Sequence, residues 1–508
     1  MNGARSPMRA PRERVSRVWR SCVVVLLLAP LAAAQSLDEA KKKLADPDEK
    51  VRRAAVEGLS RQNGVEALEL VLKSLRDSSA MVADEAQLSL ASADDEAEIE
   101  LVFSRDGLGA KDDMIRLRCA EALGRIDAKL PAARLAKALS DKSPAVRRAA
   151  AYSIEQLARR LGIAESPSPL LQKELASLAD RDPDNGVRAA ALMARMALAP
   201  GLSSAELAIY AADKAYEVRS AAVLAASALE PGARIGFARP GLTDAHTGVR
   251  LQAIRLLSGT PNRDAAVLLA EALETEKSPH PAWSLVEVLR RLSGMKAGRD
   301  FRYWQQWARG LPADWKPGAI DSAPADAEPK TATFAGLPLL SDRITFLIDL
   351  SGSMWETRDG KTRKAGADKE LELALGKLAP SVEFNVIPFT GEPLPWQAAL
   401  QQATPKNVAA ALAFFVKRAD HGKGNFWDAL QLALQDPNVD SLLLLGDGAP
   451  TGGTRWNVEL MRTLFAEQNR FRLVTLDAVL VDCSKGLTRT WTAWCESTGG
   501  RTRATDLR

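Results

Sequence analysis

One pattern recurs through the first half of the chain and limits its fold more than any other feature. An aspartate, a few turn residues and, in most copies, a Val-Arg pair lead into an alanine-rich apolar stretch. The copies begin at Asp46, Asp77, Asp112, Asp141, Asp182, Asp213 and Asp244. Their apolar anchors are Val51, Val82, Ile115, Val146, Val187, Val218 and Val249, spaced by 31 or 33 residues apart from one step of 41. The long step contains Ser166-Pro167-Ser168-Pro169, which reads as a loop insertion. Each copy reads as a helix pair. The aspartate accepts backbone N–H groups at the start of the second helix or in the turn before it. The anchor is that helix's first buried residue. Alanines after it, as in Arg147-Arg148-Ala149-Ala150-Ala151, let neighbouring helices approach, and the preceding helix supplies leucines, as between Leu130 and Leu139. A single pair cannot bury its own apolar face but a stack can, so the pattern predicts an α-solenoid. A degenerate eighth unit is expected over Arg263–Leu292.

This Asp…Val-Arg…Ala pattern resembles the HEAT-repeat family, in the short form found in phycobilin-lyase-type repeats, over residues 38–295. The resemblance implies a curved helical scaffold used for protein contacts; it does not imply lyase activity. The arginine after each anchor is expected at the rim of its repeat, paired with the aspartate of the next copy, rather than in a basic patch.

A chain of 508 residues exceeds what one core organises, so further domains are expected. The formal charge of +4 is misleading, because residues 1–34 alone carry a net +5, from six arginines against Glu13. That segment has an Arg-rich start, an apolar run from Cys22 to Leu31 and then Ala32-Ala33-Ala34. It reads as a signal peptide of bacterial style cleaved before Gln35, which predicts an exported protein, periplasmic, extracellular or attached to the cell surface. The rest of the chain is then close to neutral, with no electrostatic argument for nucleic acid as a partner. No later run approaches the roughly 18 apolar residues of a membrane span.

Export permits disulfides. Cys483 and Cys495 stand 12 residues apart, so a bridge between them is one expectation and two buried thiols the other. Cys119 sits in a helical pattern and reads as a small core residue.

Residues 296–311 carry Trp304 and Trp307 at i, i+3 on one helical face, as a capping helix for the last repeat requires. Residues 312–340 include Pro317, Pro324 and Pro329 and read as a semi-rigid linker. Beyond it, strands alternate with helices over residues 341–508, the signature of a doubly wound α/β sheet. Ligands of such sheets bind outside the carboxyl ends of the strands. Two apolar strands end in acids there. Ile344–Ile348 runs into Asp349-Leu350-Ser351-Gly352-Ser353, and Leu442–Leu445 runs into Gly446-Asp447-Gly448.

These features resemble the von Willebrand factor type A (VWFA) family. Asp349-Leu350-Ser351-Gly352-Ser353 matches its Asp-x-Ser-x-Ser motif, Asp447 its second acidic loop, and Phe426-Trp427-Asp428 the helix after its middle loop. The resemblance implies a metal-ion-dependent adhesion site holding Mg²⁺ or Mn²⁺. The serines would bind the ion directly, the aspartates would hold its waters, and an open position would take an Asp or Glu of a protein partner. Oxygen ligands with few direct anions suit a hard cation that stays electrophilic. The family's middle loop supplies a threonine, and here Gly424 stands in its place, so Asn425 is the candidate substitute in a set of Asp349, Ser351, Ser353 and Asp447.

The sequence therefore predicts a non-enzymatic interaction protein, a scaffold plus a metal-dependent adhesion module. Alternatives are a metal-free scaffold with a relict site, a metal-dependent hydrolase using Asp349 and Asp447, and a subunit of a chelatase-like or ATPase-associated complex. The hydrolase is disfavoured by a chain with only three histidines and no nucleophile–base spacing. The ATPase-associated role is disfavoured by export away from ATP.

Overall fold

The computed structural model describes residues 36–62, 64–163, 168–199, 202–317, 331–358 and 360–505. The leader 1–34, Ser166 and Pro167 of the insertion and residues 318–330 of the linker lie outside the described residues.

Helices run from Leu37–Leu44 to Pro279–Ser293 in a continuous stack. The second helix of each copy packs on its counterparts, so that Pro144–Arg160 lies between Asp113–Leu123 and Asn185–Leu198. Six of the seven anchors are buried, with Val51 of the first copy half-buried, and the alanines behind them are almost wholly enclosed, as at Ala149, Ala150 and Ala151. Small side chains there permit the close helix approach that the stack requires.

The rim is a ladder of arginine–carboxylate pairs. Arg52 grips Asp77, Arg116 grips Asp141, Arg147 grips Asp182 and Arg219 grips Asp244, each through two guanidinium nitrogens. Arg188 does the same with Asp213, and Arg250 with Glu276. A third nitrogen donates back to the start of the arginine's own repeat, as from Arg219 to the Asp213 carbonyl at 2.9 Å. The repeat aspartate thus has two tasks. It receives the neighbour's arginine and accepts the N–H two residues on, as Asp141 does from Ser143 at 2.8 Å. It organises the turn, while a later residue caps the helix proper, Asp48 or Asp184 for example. The second copy breaks the ladder: it has Ala83 after its anchor, and the third copy has Ala110 where an aspartate would receive it.

The stack ends in the helix Phe301–Arg309, whose Trp304 is fully buried in the cluster formed by the last repeats. Its indole N–H donates to the Gly298 carbonyl at 2.7 Å, and edge-to-face contacts link Trp304, Trp307 and Trp315.

The second domain is a six-stranded sheet. Its spatial order is Thr502–Thr505, Thr475–Val481, Ser441–Gly446, Arg343–Asp349, Glu383–Phe389 and Gln401–Gln402. All neighbours are parallel except the last pair. Apolar clusters lie on both faces, one including Leu347, Leu442 and Trp494, the other Ile344, Phe346 and Phe384. The order reverses at Arg343–Asp349, which has later strands on both sides. This is the switch point at which such sheets open a crevice, and Asp349 and Asp447 end its adjacent strands.

The two domains are packed together. Phe471, in the turn before the Thr475 strand, belongs to the solenoid's main core, and Leu473 to the core of its last repeats. Arg470 reaches Glu155 at 2.7 Å, Arg125 reaches Thr463 at 2.7 Å and Thr475 meets His280 at 2.8 Å. A solenoid surface expected to await partners is, over this stretch, covered by the chain's own second domain. The sequence reading missed this because the contacts join residues more than 300 positions apart.

Candidate functional site

The strand Arg343–Asp349 is buried along its length and delivers Asp349, 7% exposed, to the crevice. The chain turns at once, because the Ser351 N–H donates to Asp349 Oδ1 at 2.7 Å. A short 3-10 turn over Gly352–Trp355 then presents Ser353. Ser351 Oγ lies 3.3 Å from Ser353 Oγ, and Ser353 Oγ donates to Asp447 Oδ1 at 2.9 Å. Asp349, Ser351, Ser353 and Asp447 therefore meet as the motif spacing predicts. Burial pushes the Asp349 carboxyl up to about 7, and the Asp447 charge adds in the same direction against the Ser351 hydrogen bonds. Two carboxylates in one poorly solvated crevice invite positive charge.

Gly424 faces this group. A Cβ there would lie 3.5 Å from Asp349 Oδ2 and 3.6 Å from Ser351 Cβ, an ordinary contact distance. A side chain would fit, and the glycine leaves the place open. Asn425, expected as the substitute ligand, is committed elsewhere. Its Oδ1 caps the helix Phe426–Ala433 through the Asp428 N–H at 3.2 Å, and its Nδ2 donates to the Gly391 carbonyl and to Asp428. The nearby hydroxyl comes instead from Thr451, whose Oγ1 accepts the Gly424 N–H at 2.7 Å.

Arg363 was not foreseen. From the first turn of the helix Arg363–Leu375 it donates to Asp447 Oδ2 at 2.7 Å and to the Ser353 carbonyl at 2.9 Å, and it reaches Asp482 at 3.3 Å. In sequence it is an unremarked arginine twelve residues beyond Ser351, with no motif to expose it.

The residues present fit a hard cation in chemistry, four converging oxygen-bearing side chains at a strand switch point, though with one position lacking a side-chain ligand.

The loop after Asp447 ties the site to the solenoid. Thr451 N–H donates to the Gly424 carbonyl at 3.0 Å, and Thr454 donates to Asp428. Three residues on, the same loop is held by the repeats. Arg118 donates to the Thr454 carbonyl at 3.0 Å, and fully buried Asp84 accepts from the Trp456 and Asn457 N–H groups at 2.6 and 2.9 Å. Arg455 pairs with Glu121 at 2.8 Å. Asp84 follows the Ala83 that interrupts the rim ladder.

Cys483 and Cys495 are separate thiols, as is Cys119. Cys495 faces the sheet core from the helix Lys485–Thr498 and Cys483 sits partly buried beyond the Thr475 strand. Burial raises the Cys483 thiol to about 11 and drives Cys495 up as well, so neither is a ready nucleophile.

Fold and site define a helical-repeat protein with a C-terminal α/β domain resembling VWFA domains. The HEAT-repeat family model matches residues 104–196. Mouse inter alpha-trypsin inhibitor heavy chain 4 is 34% identical over 129 residues, covering 23% of this chain and 13% of that protein. Human inter-alpha-trypsin inhibitor heavy chain H2 is 34% identical over 122 residues, covering 22% and 12%. The chain thus spans about an eighth of these relatives' length. Among solved structures, a von Willebrand factor type A protein from Catenulispora acidiphila aligns with a TM-score of 0.27 at 18% identity, over 32% of this chain and 38% of that one. Importin beta aligns with a TM-score of 0.33 at 15% identity, over 50% and 42%.

Proposed function

We infer that the protein is a non-enzymatic interaction scaffold, exported, whose second domain binds an acidic residue of a protein partner at a Mg²⁺- or Mn²⁺-dependent site. The observation that carries this reading is the convergence of Asp349, Ser351, Ser353 and Asp447 at the sheet's switch point. A bound divalent ion would supply an electrophilic position for the partner's carboxylate. Ser351 and Ser353 offer uncharged oxygens, while Asp349 and Asp447 balance the ion's charge. Both serines are engaged with carboxylates and with each other rather than with a histidine, which speaks against a nucleophile–base pair. The similarity to inhibitor heavy chains points the same way. A metal-free scaffold is the second reading, favoured by Gly424 and by the guanidinium already placed on Asp447.

Calorimetric titration of the full chain with Mn²⁺ distinguishes them. The first reading expects saturable binding that Asp349→Ala abolishes while the circular dichroism spectrum is retained. Absence of binding at millimolar Mn²⁺ would leave the scaffold and remove the metal.

A further inference from the structure

We propose that Arg363 is a tethered counter-cation that competes with the divalent ion for Asp447 and thereby sets the cation affinity of the site. This rests on the metal-dependent reading above and names a residue that controls it. Three observations carry it. First, the guanidinium donates to Asp447 Oδ2 at 2.7 Å, so one oxygen of the carboxylate is already charge-paired, while Ser353 occupies the other at 2.9 Å. Second, Arg363 also holds the Ser353 carbonyl at 2.9 Å and approaches Asp482 at 3.3 Å. Its side chain is 11% exposed and Asp447's is 6% exposed, so the pair is shielded from water and its attraction is little screened. Third, Asp349 and Asp447 face one crevice, joined through Ser351 and Ser353, so without the guanidinium two carboxylates would stand there with no positive charge between them.

An arginine so placed does two things. It makes the cation-free site stable by neutralising Asp447 beside Asp349. It also opposes a second positive charge, because an ion drawn to Asp447 meets a fixed guanidinium that cannot be deprotonated. An exposed rim cation would lack this effect; a buried guanidinium hydrogen-bonded to the ligand carboxylate does not.

Arg363→Gln removes the charge and retains a donor, and Arg363→Lys retains the charge. Each full-length variant is titrated with Mn²⁺ by calorimetry and melted in EDTA and in Mn²⁺. The expected result is that Arg363→Gln binds Mn²⁺ at least tenfold more tightly than the parent. It should also melt lower in EDTA and regain stability when Mn²⁺ is added, with Arg363→Lys close to the parent in both respects. Binding by Arg363→Gln that disappears in the double variant with Asp349→Ala places the ion at this site. Equal or weaker Mn²⁺ binding by a folded Arg363→Gln overturns the proposal alone. Absence of Mn²⁺ binding by parent and variant alike overturns the metal-dependent reading and this proposal with it.

Discussion

At the residue scale, Gly424 and Arg363 determine what the crevice can hold, and they act in the same direction. The glycine withholds an oxygen and the arginine supplies a charge. Gly424→Thr tests the first. The Cβ has room, 3.5 Å from Asp349 Oδ2, so the added hydroxyl falls beside the existing oxygens rather than displacing them. Its expected effect is tighter Mn²⁺ binding by about tenfold, or roughly 1.4 kcal/mol, with an unchanged melting temperature in EDTA. Calorimetry reads the first and a thermal melt the second; a variant that melts normally and binds no better would show that the missing oxygen is not what limits the site. The sequence exposed the glycine because it stands inside a recognisable loop. It concealed the arginine, whose importance comes from where the helix Arg363–Leu375 begins in space.

At the scale of elements, the repeats were legible because most copies restate one set of physical requirements. An aspartate turns the chain, a valine enters the core, an arginine crosses to the next copy and alanines let helices close. The strand ends were legible for a similar reason, since a run of buried apolar residues halted by an acid marks the carboxyl edge of a sheet. What could not be read was the docking of one domain on the other, because no periodicity links Asp84 to Trp456 or Glu155 to Arg470. Asn425 was misplaced by the same limitation: the residue type allowed ligation, but the helix Phe426–Ala433 required a cap. The docked surfaces leave a marker in Gly248. It lies in the helix Thr247–Ser258, where alanine would ordinarily gain about 1 kcal/mol over glycine. Here a Cβ would come within 2.6 Å of the Arg472 carbonyl oxygen and 2.9 Å of that of Phe471. Backbone cannot yield as a side-chain tip can, so the clash outweighs the helix propensity, at a net cost of about 1–3 kcal/mol. Gly248→Ala should therefore lower the melting temperature by several degrees, whereas Gly232→Ala, whose Cβ would meet open space, should not. Equal behaviour of the two variants in a thermal melt would argue that the domains separate freely in solution.

At the scale of the whole molecule, the solenoid is the bed on which the second domain lies, and that bed is charged. Asp84, Glu121, Arg148 and Glu155 on the repeats meet Arg455, Glu467 and Arg470 on the sheet domain, while Arg118 and Arg125 donate to the Thr454 carbonyl and the Thr463 hydroxyl. The loop they grip includes Thr451, which is hydrogen-bonded to Gly424, so the pose of the domain and the shape of the crevice are joined through one segment. Glu467 is the member that protons can address. Burial raises it to about 7; Arg148, at 3.4 Å, and Arg470 oppose the shift, whereas Glu121 reinforces it. The groups packed around it also include Tyr152 and Arg125. A carboxyl held higher in the folded chain than its ordinary 4.5 binds more protons there than when unfolded. Stability from this group is therefore greatest below about 4.5 and declines as pH rises towards 7, by up to about 3 kcal/mol. Glu467→Gln keeps the shape and removes the titration. Relative to the parent, the variant should gain stability steadily between pH 5 and 8 in denaturant melts, ending as the more stable of the two. If the parent instead keeps a constant advantage across that range, Glu467 is ionised throughout and its bond to Arg148 works as a permanent ion pair of the interface.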